Sequence, residues 1–354
     1  MKVALLGMMQ SGKSSLLAAI SGKDIPEGPT VAISEETINV PDKRIDWLAN
    51  HYQPNKTIYS TIECLDIPGF YFTDDAGRAS ARRLFGDMRM AGMLVLVVRA
   101  FQEPSVAAYR GTIDPERDLN ELKEELLLAD LELISTRIER LEKQLKKHSK
   151  TAERDKAELE LQKKLEATIE EGNPLSALEL SNDEKDLVRS LNFLTLKPMM
   201  VVINVGEDDL DKEYNLDIDA SVPVIALCCS LEKELAQLDT GSREEFMRDL
   251  GIEEKASDRF VASCYEALGL ISFLTSGKDE VRAWPIVKGS NALEAAGKIH
   301  SDIQRGFIRA ETIAFDELVQ YGDEKAVKAA GRARLEGKTY IVQDGDIIEF
   351  RFNV

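Results

Sequence analysis

The sequence is poor in the residues that build metal centres, disulfide frameworks and membrane spans. Its 354 residues include three histidines and four cysteines, with no zinc-ligand spacing among them. Two of the cysteines are adjacent (Cys228 and Cys229), and the set makes no disulfide framework. A reducing, cytoplasmic setting is expected. The longest apolar run, AGMLVLVV at 91–98, is far too short to cross a bilayer, so no membrane partner is expected. The N-terminal stretch MKVALLGMMQSGK has too short an apolar core for a signal peptide. Excess positive charge is lacking as well. The formal charge is −18, which argues against non-specific binding to nucleic acid, and no DNA partner is expected.

What is present suits a globular chain of two or three domains: 44% hydrophobic and 31% charged residues. Short runs rich in Val, Ile and Leu recur at VALL (3–6), TIECL (61–65), MLVLVV (93–98), MMVVI (199–203) and VPVIAL (222–227). They lack strict alternation, as expected of strands buried on both faces of a mostly parallel sheet. Helical patterns lie between them, so the fold class is α/β. About a hundred residues, rich in charge and helical in pattern, separate the third run from the fourth. Within them Leu127, Leu131, Ile134, Ile138, Leu141 and Leu145 alternate steps of four and three, an apolar seam of coiled-coil type. A second helical run with Ala157, Leu161 and Leu165 returns to Gly172 and Pro174, which stop it. This predicts an antiparallel helical arm inserted in the sheet domain. SNDE (181–184) reads as a capping box opening the next helix. From about residue 273 the chain reads as a small α+β unit. There YIVQ and DIIEF flank an Asp-Gly pair, a hairpin signal.

GMMQSGKS (7–14) fits G-x-x-x-x-G-K-[ST] between a strand and a helix. Such a loop curls backbone N–H groups around phosphate oxygens at a helix N-terminus. Lys13 would reach the β- and γ-phosphates and Ser14 would ligate Mg²⁺. DIPG (66–69) follows a strand and fits D-x-x-G: Asp66 would hold Mg²⁺ through water, and the Gly69 N–H would meet the γ-phosphate. Thr30, in EGPTVAI, is a candidate to close over the metal. NVGED (204–208) has the place of a base-reading Asn-Lys-x-Asp but shows Asn204, Val205, Gly206 and Glu207. An aspartate there would accept from guanine N1–H and its 2-amino group. Glu207 is one methylene longer, and Val205 replaces the lysine. Guanine selectivity is weakened, and adenine becomes admissible.

These motifs, with LNFLTLKPMMVVINVGED (191–208), EVRAWPIVKGSNALEAAGKIHSDIQRGFIRAETIAFDELV (280–319) and GKTYIVQDGDIIEFRFNV (337–354), resemble the YchF or Obg-like ATPase family over essentially the whole chain. The resemblance implies a Ras-like P-loop NTPase domain (1–125 and 195–272), a coiled-coil arm (126–194) and a C-terminal TGS domain of ubiquitin-like β-grasp fold (273–354). It implies ATP in preference to GTP, with Asn204 and Glu207 on the family's Asn-x-x-Glu and Val205 packing on adenine. Gln10, Ser11, Gly12, Lys13, Ser14 and Ser15 fall on the phosphate cradle, and Thr30 on the switch threonine. Phe70 falls where the catalytic glutamine of related GTPases is replaced by a hydrophobic residue. Ala108 stands where many members carry a histidine, and the segment 70–85 has one glycine where the family is glycine-rich. Family members associate with ribosomes.

Three readings stay open on these residues: a slow Mg²⁺-dependent ATPase, a nucleotide-binding module without turnover, and a GTPase. Contact with ribosomal RNA would run through the arm and the TGS unit. Residues 137–164 carry ten basic side chains against six acidic ones, a basic island in an acidic protein. Residues 275–354 carry twelve basic and thirteen acidic side chains, so the C-terminal unit is not basic overall.

Overall fold

The structure, a computed structural model, describes residues 1–23, 32–146, 151–252 and 254–353. The first half of the chain forms β1 (Lys2–Leu6), α1 (Lys13–Ser21), β2 (Ser34–Asn39), α2 (Lys43–Tyr52), β3 (Lys56–Ile58), β4 (Thr61–Asp66), α3 (Asp75–Met90), β5 (Met93–Arg99), α4 (Pro115–Leu145) and α5 (Ala152–Glu170). Then come α6 (Asn182–Val188), β6 (Met199–Asn204), β7 (Val224–Leu227), α7 (Cys229–Gln237), α8 (Thr240–Asp249) and α9 (Ala256–Ala267). The remainder forms β8 (Leu270–Thr275), β9 (Glu280–Val287), α10 (Ala292–Ile299), α11 (Ser301–Arg305), β10 (Phe307–Ala314), α12 (Phe315–Tyr321), α13 (Glu324–Ala329), β11 (Arg334–Glu336) and β12 (Asp346–Phe352).

Two compact units result. The first comprises Met1–Glu36 and Glu63–Ser257. Its sheet runs β2-β4-β1-β5-β6-β7, and the pairings of β1 with β4 and β5, of β5 with β6 and of β6 with β7 are all parallel. All five expected apolar runs supply strands of this sheet. The central strand β5, MLVLVVR, is buried at every residue, which explains why its sequence does not alternate.

The arm starts earlier than expected, at Pro115 rather than 126. Asp114 caps α4 by accepting the Arg117 N–H, and Pro115 occupies the first turn, where no N–H is needed. The opening turns pack Leu119, Leu122, Leu126 and Ala129 into the core of the sheet unit. From Ile134 onward the seam faces α5, where Ile134 joins Leu161, Leu165 and Ile169. Arg137 reaches across this hairpin to Glu158 at 2.6 Å, with the glutamate side chain 5% exposed. The Ser181–Glu184 capping box opens α6 as expected.

The second unit comprises Thr37–Ile62 and Asp258–Val354. Its sheet runs β11-β10-β12-β8-β9-β3. Two expectations are corrected here. The segment 37–62 was expected in the nucleotide domain and the second unit was expected to begin at 273. Instead β3 pairs with β9 (Lys56↔Glu280), and Ile45 and Leu48 of α2, both 0% exposed, share a core with Leu274, Val281, Ile313 and Ile347. The Asp-Gly hairpin is also absent. β12 pairs antiparallel with β10, from Ala314↔Asp346 to Phe307↔Phe352, and meets β8 at Ile347↔Leu274. The Asp344 carboxylate accepts from the Ser272 N–H at 2.9 Å and from Arg44 at 2.8 Å, so this turn anchors neighbouring segments instead of folding YIVQ back onto β12.

Candidate functional site

Three loops at the C-terminal ends of β1, β4 and β6 meet over the start of α1. In the first, Gln10 (φ 62) and Gly12 (φ 94) adopt left-handed backbone and turn the chain into the helix. A side chain at position 12 would place its Cβ 2.0 Å from Asn204 Nδ2, so the close approach of β6 requires glycine. Lys13 is 6% exposed, and its ammonium donates to the carbonyls of Gly7 (3.2 Å) and Met8 (3.1 Å). Burial pulls its pKa down to about 8, and the Asp66 carboxylate works in the opposite direction. Ser11 is buried with its hydroxyl meeting no hydrogen-bond partner, while Gln10 and Ser15 are exposed.

The second loop is bonded to the first. The Phe70 N–H donates to the Gly7 carbonyl and the Met9 N–H to the Phe70 carbonyl, both at 3.0 Å. A Cβ on Gly69 would lie 2.7 Å from Met9 Cα, so only glycine lets the two backbones approach this closely. Ser14 Oγ donates to Asp66 Oδ2 at 2.5 Å, which brings together two of the three expected metal-binding side chains. Hydroxyl and carboxylate oxygens next to a phosphate cradle suit Mg²⁺, a hard cation that keeps waters and shares phosphate oxygens. No cluster of three or more His, Cys, Asp or Glu that could hold a metal exists among the described residues. Thr30 lies outside the described residues.

The third loop is built on Asn204, which is 4% exposed. Its Nδ2 donates to the Ser11 carbonyl and its Oδ1 accepts the Cys229 N–H, both at 3.2 Å. One side chain thus ties the phosphate loop to the start of α7 and keeps a second amide hydrogen. Glu207 is exposed on the short turn that follows. The expectation for Val205 is corrected. It is 1% exposed within the core cluster of Ile203, Cys228 and Leu231, because it continues the inward face of β6, and it offers no surface to a base. The apolar surface near Asn204 belongs to Phe101, which the sequence reading missed. Its ring reaches within 3.8 Å of the position a Gly12 side chain would take. Arg99 lies 4.4 Å over that ring and donates to the carbonyls of Phe101, Ala107 and Val106, shaping the loop after β5. The signal was the basic residue ending an otherwise apolar strand.

Phe70 is 3% exposed and stacks on Phe72 at 5.4 Å. Ala108, half-buried, presents a methyl group. Neither position carries an acid or base. What the site can do chemically is bind: backbone donors, one buried ammonium and a Mg²⁺-compatible oxygen pair converge where a polyphosphate would lie.

Residues 2–154 match a family described as 50S ribosome-binding GTPase. Residues 270–353 match YchF-GTPase_C, described as a protein of unknown function (DUF933). The chain is 37% identical to the ribosome-binding ATPase YchF of Pasteurella multocida (strain Pm70), over 100% of this chain and 99% of that protein. It is 36% identical to the ribosome-binding ATPase YchF of Bacillus subtilis (strain 168), over 99% of this chain and 98% of that protein. Against Obg-like ATPase 1 of Oryza sativa subsp. japonica it is 33% identical, over 100% of this chain and 92% of that protein. The solved structure of the Schizosaccharomyces pombe YchF GTPase superposes with a TM-score of 0.85 at 26% identity, covering 99% of this chain and 97% of that one. Agreement in both sequence and fold from one end to the other, with the phosphate loop, D-x-x-G and Asn204 in one site, makes this chain a member of the YchF family.

Proposed function

We propose that the chain is a Mg²⁺-dependent ATPase of slow turnover that acts as a nucleotide-controlled switch on the ribosome. The observation that carries this reading is the convergence of Lys13, the Ser14–Asp66 pair and Asn204 on one phosphate loop. Lys13 would hold the β- and γ-phosphates, and Gly69 would offer its N–H to the γ-phosphate. Ser14, Asp66 and, by the resemblance, Thr30 would hold Mg²⁺, which would supply charge neutralisation between the phosphates. With Phe70 buried and Ala108 apolar, no side chain at either position orients water, which fits slow turnover by positioning alone. The same two residues favour a second reading, a module that binds nucleotide and signals occupancy without hydrolysis.

The names of the relatives divide between ATPase and GTPase, so the base is argued from chemistry. Adenine lacks the N1–H and 2-amino donors that an aspartate would accept from, and Glu207 replaces that aspartate. Phe101 supports the base by its ring face. Calorimetric titration of nucleotide-free protein with Mg·ATP and Mg·GTP tests this. Tighter ATP binding is expected, and tighter GTP binding would refute the adenine reading. Turnover lost in Lys13→Ala but present in the wild type would select the ATPase over the silent module.

The arm is the proposed contact with ribosomal RNA, and the TGS-type unit is a proposed second contact. Part of its basic island is already neutralised: Arg137 by Glu158, Lys143 by Glu139 and Lys163 by Glu142. Lys147 and Lys150 lie outside the described residues. Arg140, Lys146, Arg154 and Lys156 are exposed and, among the described residues, form no ion pair. Reversing these four charges is expected to weaken ribosome co-sedimentation and flatten its salt dependence. Unchanged sedimentation would remove the arm from the interface.

A further inference from the structure

The loop that follows Gly69 is gripped from two sides by the root of α4, through residues with no assigned part in holding nucleotide or metal. The Phe72 N–H donates to Tyr109 Oη at 3.3 Å, and that hydroxyl donates to Glu121 Oε2 at 2.7 Å. The Phe72 carbonyl accepts from Arg78 Nε at 3.3 Å, and Arg78 Nη1 pairs with Glu125 Oε1 at 2.7 Å. Glu121 and Glu125 are one helical turn apart, so both backbone groups of a single loop residue end on the same face of α4. The Tyr109 side of the joint is well buried, with Phe72 3% and Tyr109 7% exposed, while on the other side Glu125 is 7% exposed and Arg78 reaches it from the surface, its side chain 44% exposed.

Both ends of this connection are fixed. On the nucleotide side, Phe70 is bonded to Gly7 and Met9 of the phosphate loop. On the helix side, Arg110 reinforces Glu121 at 2.8 Å, and Phe85 and Met88 of α3 share a core with Leu122 and Leu126. A shift of Gly69 therefore moves α4 or breaks one of these bonds.

We propose that Tyr109 and Arg78 form a clamp that carries occupancy of the phosphate loop from Gly69 to the root of α4, and that both act as positioning residues for Gly69. The inference rests on the nucleotide reading given above. A phosphate oxygen that draws in the Gly69 N–H displaces the backbone through Phe72, and the clamp passes the displacement to Glu121 and Glu125. α4 has 31 residues and so spans roughly 46 Å, which turns a tilt of about 5° at its root into about 4 Å at its tip. The basic end of the arm is the part that moves furthest.

The test is amide hydrogen exchange of the full-length chain with and without Mg·ATP, alongside steady-state kinetics. Tyr109→Phe keeps the ring and removes the relay, Arg78→Ala removes the other side, and Arg82→Ala is the control. Arg82 pairs with Glu132 on the surface, both more than half exposed, and acts on Glu125 only by its charge, with no hydrogen bond to the loop. In the wild type and in Arg82→Ala, ATP is expected to slow exchange in the phosphate loop, in 68–80 and in 115–128. In Tyr109→Phe and Arg78→Ala the phosphate-loop protection is expected to remain while that of 115–128 falls by at least half. With it kcat is expected to drop about tenfold at nearly constant KM, since a loosened Gly69 misplaces the reacting group and not the bound nucleotide. Wild-type protection of 115–128 in Tyr109→Phe, which loses one hydroxyl and no packing, overturns the clamp even if Arg78→Ala fails to fold. Absence of any ATP-induced protection in the wild-type phosphate loop would instead refute the nucleotide reading, and the clamp with it.

Discussion

Replacing Asp130 is expected to destabilise the first unit more than any exchange at its surface. The carboxylate is 0% exposed. Its Oδ1 accepts from the Leu194 N–H at 3.0 Å and from Arg89 Nη1 at 2.7 Å, and its Oδ2 accepts from the Thr195 N–H at 2.8 Å and the Thr195 hydroxyl at 2.9 Å. Asp130→Ala leaves two buried N–H groups and a guanidinium that is 16% exposed without their acceptor, an expected loss of about 3–5 kcal/mol. In a unit of this size that lowers Tm by roughly 10 °C. Asp130→Asn is the sharper variant. Its shape is the same, but its NH₂ must face the Leu194 N–H and Arg89 in one orientation or the Thr195 N–H in the other, where only the Thr195 hydroxyl can turn to accept, so a loss of about 2–3 kcal/mol is expected. Trp47 and Trp284 both lie in the second unit, so unfolding of the first is read by circular dichroism at the helical band in urea. Leu194 and Thr195 lead into β6, so nucleotide affinity should fall in parallel as Asn204 loses its placement. An Asp130→Asn protein within about 1 kcal/mol of wild type would refute the account of this carboxylate as a loaded hub.

Gly12→Ala is expected to abolish nucleotide binding in an equilibrium titration while the fold persists, because the methyl group displaces Asn204 and the backbone is left-handed there. Asn204→Asp keeps the acceptor for Cys229 but sets a carboxylate against the Ser11 carbonyl, and should weaken ATP binding more than tenfold in the same titration. Phe101→Ala should cost about 1–3 kcal/mol of nucleotide affinity, with adenine and guanine affected alike. Glu311 is held below the ordinary glutamate range first by its bond to Lys328 and then by Arg351. Its pKa is lower folded than unfolded, so its stabilisation is complete above the unfolded value, near ~4, and is lost as pH falls through the folded one. The second unit of Glu311→Gln should therefore show a lower urea midpoint at pH 7 and a shallower loss in acid, read by tryptophan fluorescence.

The strands of the nucleotide unit were legible because parallel strands buried on both faces need continuous Val, Ile and Leu. The phosphate loop was legible because few residues permit that backbone. Asn204 was found by motif, yet the bonds its side chain makes here are structural, since its amide spans two loops separated by nearly the whole unit. Val205 was misread because a motif position does not say which way a strand-end side chain points, and here it points into the core. The Asp-Gly hairpin failed for a related reason. The turn is real, but β12 takes its partners from β10 and β8, both distant in sequence. Asp130, Arg78 and Tyr109 carried no local signal, because each matters through partners that only the folded chain brings near.

The segment 37–62 is shared out in a way that bears on how the molecule is made. Asn55 and Asp279 meet beside the β3–β9 pairing although 224 positions separate them. During synthesis α2 and β3 emerge after residues 1–36 of the nucleotide unit and wait while its remainder, Glu63–Ser257, is produced, with Ile45 and Leu48 lacking the core they will occupy. The second unit is thus the last to close, and its closure pays the entropy of one long loop, a term that grows only slowly with length. A fragment beginning at Asp258 would lack an edge strand and a core helix, and a chain ending at Ser257 would carry both with nothing to cover them. No single cut separates the two units into self-sufficient halves.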